Sequence, residues 1–138
     1  MAAGYTKLNL KTDVEDQAPK FGVAPNLEFR VAATPLATEE SRVSYLRIAP
    51  GYRMPFGHRH ERQEEVYVLL AGRARIKLGD DVVELEPLDA VRIANETIRN
   101  LEAGPDGAEL LLIGAPNTGV NDAETLPQWW TDGVDERS

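Results

Sequence analysis

Two histidines, His58 and His60, are the only imidazoles in the chain. They stand one residue apart in the stretch GHRHERQEEVYVLLAG, Gly57 to Gly72. Two glutamates, Glu64 and Glu65, follow, and then an apolar run. On an extended segment, residues two apart point to the same side, so both imidazoles would face one cavity. A carboxylate on the next strand, facing the same way, would complete a three-ligand face. Two imidazoles and one carboxylate with open positions suit non-haem iron and some zinc sites. The same residues also suit a polar, solvated turn, and on these residues alone both stay open.

The elements that must position this group read as short strands. LEFRVA (27–32) and VSYLRIA (43–49) alternate and are rich in β-branched and aromatic residues. EVYVLL (65–70) is nearly continuously apolar, as in a strand covered on both faces. Ala71-Gly72 is expected to turn it into RARIKL (73–78), with Ala74, Ile76 and Leu78 facing one way and Arg73, Arg75 and Lys77 the other. Gly79-Asp80-Asp81 reads as a tight hairpin. VVELE (82–86), DAVRIA (89–94) and ELLLIG (109–114) complete the series, with GPDG (104–107) as a further turn. ATEESRV (37–43) could form one helical turn, and no segment carries a sustained helical period. Short strands between turn signals predict an all-β, antiparallel sandwich or barrel.

The 138 residues suit one domain with a real core. Residues 1–26 read as an irregular arm, 27–116 as the barrel, and 117–138 as a tail whose paired tryptophans, Trp129 and Trp130, pack on the barrel or on a partner. There is no cysteine, which excludes disulfides, thiolate ligands and a cysteine nucleophile. The first residues have no apolar core of a signal peptide, and no run nears the ~20 apolar residues of a membrane helix. A cytoplasmic protein with no membrane partner is the expectation. The net charge of −8, from 23 acidic and 15 basic residues, argues against nucleic acid. Arg53, Arg59, Arg62, Arg73 and Arg75 cluster loosely and read as a mixed-charge surface.

From Gly51 to Gly72 the chain resembles the first motif of the cupin family: a glycine, a spacer, H-x-H, a glutamate and a second glycine. Here these are Gly51, His58, His60, Glu65 and Gly72, with the first spacer one residue longer than usual. Counting back from Gly72 selects Glu65, and Glu64 would then face away. The resemblance spans about residues 40–115 and implies a small single-domain bacterial cupin of the cupin-2 type. Its fold would be an antiparallel double-stranded β-helix, a jelly-roll barrel. It implies His58, His60 and Glu65 as metal ligands for a divalent transition metal such as zinc, iron, manganese, nickel or copper. It also implies a homodimer and, for an enzyme, dioxygenase or isomerase chemistry on a small molecule.

The second motif departs from the family. It should supply a fourth ligand, a histidine, and that position falls on Arg99 in LDAVRIANETIRNLEAG; the family glycine after Pro87 is Leu88. A guanidinium has no free lone pair and stays protonated, so it cannot ligate a metal. In one reading the metal remains on three ligands and Arg99 clamps an anionic group of a small-molecule ligand. In the other, Arg99 pairs with Glu65, its charge replaces the metal's, and the barrel is a metal-free binding or interaction module. Arg92 is a second candidate for the inward arginine. Tyr67 shares the alternation of Glu65 and should line the pocket, and Gln63 could reach it from behind the ligands.

Overall fold

The computed structural model describes residues 4–60, 63–115 and 123–131; Arg62 and the rest of the arm and tail fall outside them. Eight strands form one curled antiparallel sheet, the double-stranded β-helix. They are β1 (Leu27–Val31), β2 (Arg42–Ile48), β3 (Phe56–His60), β4 (Glu65–Leu78), β5 (Asp81–Leu85), β6 (Ala90–Ile93), β7 (Arg99–Gly114) and β8 (Ala123–Pro127). None of the described helices is long and apolar enough to cross a membrane.

The pairing places the inward-facing residues in rows. Phe29, Leu46, Leu110 and Leu69 face one another across β1, β2, β7 and β4. The next row is Val31, Ser44, Leu112 and Tyr67. The row beyond holds Arg42, Gly114, Glu65 and Ile93. Because side chains alternate along a strand, the parity that buries Leu69 also turns Tyr67 and Glu65 inward. Leu46, Ile48, Leu69, Ile76 and Leu110 form the centre of the core. At about 25 cal/mol per Å² of buried apolar surface, such side chains each contribute ~2 kcal/mol.

Two expected turns are bulges instead. Ala71-Gly72 does not end a strand, since β4 runs unbroken from Glu65 to Leu78. GPDG likewise lies inside β7. The pairing slips at the same level on both strands, where Gly72 faces Ala108 while Ala74 already faces Ala103. Gly72 and Gly107 take φ of 80° and 82°. A Cβ at Gly72 would stand 2.0 Å from the Gly107 carbonyl oxygen, so two glycines let the backbones touch where the sheet bends. The helical turn expected at 37–43 sits earlier, at Ala33–Leu36. Pro35 has the fixed φ that suits a helix start, and Ala37, with φ of 61°, closes the turn. The Gly79-Asp80 hairpin joins Leu78 to Asp81 as expected.

The C-terminal segment is part of the frame. β8 pairs with β3 over five positions, from Phe56–Pro127 to His60–Ala123. Trp130 is buried, with Arg53 stacked 4.1 Å from its ring and Arg75 at 5.4 Å. Both arginines also hold Glu102, at 3.0 and 2.5 Å.

Candidate functional site

His58 and His60 lie on β3, both facing inward, their ring centroids 5.2 Å apart and their planes nearly perpendicular. Glu65 opens β4. It does not lie on a strand paired with β3; β3 pairs with β7 and β8, and Glu65 meets the histidines across the interior. Its Oε1 is 3.7 Å from His58 Nε2 and 3.2 Å from His60 Nε2. One ligand atom from each of the three residues falls within 4.8 Å of the others, close enough to hold one metal ion.

Arg99 starts β7, where it pairs with His58 on one side and Leu78 on the other. Its side chain is 1% exposed, donates through Nη1 to Glu65 Oε1 at 3.3 Å and through Nη2 to the Ala94 carbonyl at 2.9 Å. Its Nε has no hydrogen-bond partner among the described residues. Arg92 points outward and meets exposed Glu64 at 3.6 Å, so Arg99 is the inward arginine. Tyr67 donates its hydroxyl to Glu65 Oε1 at 3.4 Å. Gln63 is buried beside Glu65, its Oε1 facing Gly114.

Glu65 is therefore surrounded by donors. Burial alone would raise its pKa, but hydrogen bonds from His58 and His60, with their charge, outweigh that and hold the carboxyl well below the usual range. Burial, and then the charge of Glu65, push the Tyr67 hydroxyl well above its ordinary value, so it remains a proton donor at neutral pH. The donor set fits a divalent first-row metal: two imidazoles and an ionised carboxylate on one face. Binding would require one ring nitrogen of each histidine as a free lone pair, with release of any proton it carries.

These groups line one end of a cavity of about 1070 Å³. Its other walls are largely apolar, among them Phe29, Leu46, Met54, Phe56 and Leu112. Residues of the arm, including Ala18, Phe21 and Val23, reach it as well. Arg42 and Ser44 also line it and were missed by motif reading. The signal was available in the parity of β2, where residues 42, 44, 46 and 48 share a face.

The fold is that of the cupins, and the His-His-Glu group occupies the barrel interior. A cupin protein from Bacteroides fragilis superposes with a TM-score of 0.68 at 24% identity, covering 98% of this chain and 99% of that one. The polyketide cyclase RemF from Streptomyces resistomycificus matches with a TM-score of 0.68 at 20% identity, covering 92% and 88%. Oxalate decarboxylase of Bacillus subtilis matches with a TM-score of 0.70 at 17% identity, covering 88% of this chain and 33% of that one. No family model matches the sequence, and no curated protein does.

Proposed function

We propose that the chain is a metal-binding cupin that takes a small organic molecule into its barrel, with His58, His60 and Glu65 as metal ligands. The observation that supports this most is the convergence of three donor atoms within 4.8 Å at the wall of a large cavity. A bound divalent cation would supply Lewis acidity or an oxygen-binding centre. The chain's own residues do the rest. Glu65 is ionised at neutral pH, Tyr67 and Arg99 hold its Oε1, and Arg99 places a fixed positive charge where an anionic ligand group would lie. The cyclase and decarboxylase among the structural neighbours favour a catalytic role, within which dioxygenase or isomerase chemistry is the reading to screen.

The test is the metal content of untagged protein after reconstitution with zinc, iron, manganese, nickel or copper. Stoichiometric uptake that His58→Ala and Glu65→Ala each abolish is the expected result. Uptake by neither wild type nor variants overturns it. The 3.3 Å contact between Arg99 and Glu65 favours a second reading, a metal-free barrel in which the guanidinium neutralises the carboxylate. That reading predicts no uptake by the wild-type protein at all.

A homodimer belongs to the same proposal. The outward side of β4 and β7 shows Val66, Val68, Leu111 and Ile113 in two facing pairs, with Leu70 exposed beyond them. Light scattering behind gel filtration would read a mass of two chains. A cytoplasmic location with neither nucleic acid nor membrane as partner completes the proposal; for nucleic acid, the net charge of −8 supports this because it would repel a phosphate backbone.

A further inference from the structure

Gly114 stands in the inward row between Arg42 and Glu65, paired with one on each side. With no side chain there, a slot opens between those two residues. A Cβ at Gly114 would meet Glu65 Oε2 at 3.7 Å and Gln63 Oε1 at 3.9 Å, so carboxylate and amide bound the slot. Gln63 is 7% exposed and its amide oxygen faces the slot. The half-buried Arg42 guanidinium makes neither hydrogen bond nor ion pair among the described residues. Every other described arginine has a carboxylate oxygen within 3.6 Å.

A guanidinium fork matches a carboxylate in two parallel hydrogen bonds. Ser44, buried and two residues along β2 from Arg42, adds a hydroxyl on the same face. Arg42 stands at the rim, where the cavity shares Val31 and Arg42 with a smaller hollow of about 250 Å³.

The rest of the cavity sets the body of the ligand. About 1070 Å³ is just above the ~300–1,000 Å³ typical of sites for drug-sized molecules. A small diacid would leave Phe29, Leu46, Met54, Phe56 and Leu112 facing water. We infer that the cavity takes an amphipathic carboxylic acid, its carboxylate held by Arg42, across the Gly114 slot from the ionised Glu65, and its apolar body lying along those five side chains. This rests on reading the cavity as a ligand site, and it holds with or without a metal on the histidines.

The test is titration calorimetry with biphenyl-4-carboxylate and its uncharged amide, on metal-free and zinc-reconstituted protein. The wild-type protein should bind the acid more tightly than the amide. Arg42→Gln should weaken the acid by about tenfold or more, as loss of a charged hydrogen bond does, and leave the amide within about twofold. Arg42→Lys should restore part of the loss, and metal uptake should be unchanged in both variants. Equal loss for acid and amide, no loss for either, or no binding by the wild-type protein overturns the inference. Because the metal-free arm is read separately, failure to bind zinc leaves this test intact.

Discussion

Arg99 Nη1 lies 3.3 Å from Glu65 Oε1, on a residue paired with His58 across β7 and β3. The contact places a permanent cation against the one carboxylate of the candidate metal site. Coulomb repulsion from that cation opposes metal binding, while the same charge favours an anionic ligand. Arg99→His would exchange the cation for a lone pair. We expect this change to tighten zinc binding by roughly tenfold or more, measured by competition with a chromogenic chelator. An unchanged affinity would show that residue 99 lies outside the coordination sphere.

The pH dependence of the metal-free protein follows from the depressed pKa of Glu65. A carboxyl whose folded pKa lies below its unfolded value, ~4.3 for glutamate, contributes stability that is fully present above the unfolded value. That contribution disappears as pH falls through the folded value. Chemical denaturation of wild type and Glu65→Gln between neutral pH and about pH 3 should therefore show the wild type losing stability more steeply below ~4.3. Parallel curves would mean that the histidine contacts do not hold the carboxylate in solution.

Leu88 is 79% exposed and takes φ of 75°, a left-handed conformation in the turn after Pro87. For an L-residue this costs roughly 1–2 kcal/mol, part of which glycine recovers despite its greater unfolded-state entropy. Leu88→Gly should raise stability by about 0.5–1 kcal/mol. A thermal melt would read this as a gain of a few degrees, and a fall in Tm would show that the leucine makes a contact worth more than the strain.

Trp130 is buried against Arg53 and Arg75, and it anchors the segment that follows β8. Trp130→Ala should cost ~3–5 kcal/mol, as large-to-small changes at buried aromatics do. Because β8 lines the whole of β3, the variant should also lose metal more readily than a core variant of equal stability loss. Ile76→Ala is such a control, buried in β4 away from the histidine strand. Equal metal retention in the two would separate the tryptophan from the site.

The sequence shows the barrel well where side-chain period reports burial, as in Glu65–Leu69 and Ala74–Leu78. It shows β3 and β8 poorly. FGHRH and AETLP have little apolar alternation, because β3 is half site and β8 is partly exposed along its whole length. The bulges at Gly72 and GPDG carry the same residues as turns, and only the register of β4 against β7 tells them apart. Within the site, His58, His60, Glu65 and Arg99 follow from local spacing and a recognised pattern. The parity of β2 turns Arg42 inward, but its place across from Glu65 comes only from a cross-strand row through a residue without a side chain.

The dependence of β3 on β8 also has a consequence for assembly in time. β3 has a single paired position on β7, at His58 and Arg99, and five on β8. In chain order β8 follows every other described strand, and synthesis proceeds at ~5–20 residues per second. While β8 is still to come, the rest of the barrel can close with the histidine strand held at one point. Local release of β8 alone, with the rest of the sheet intact, would leave the imidazole strand tethered at that one position. Exchange of an ion at the histidines is thereby tied to the opening of a single strand rather than of the whole barrel.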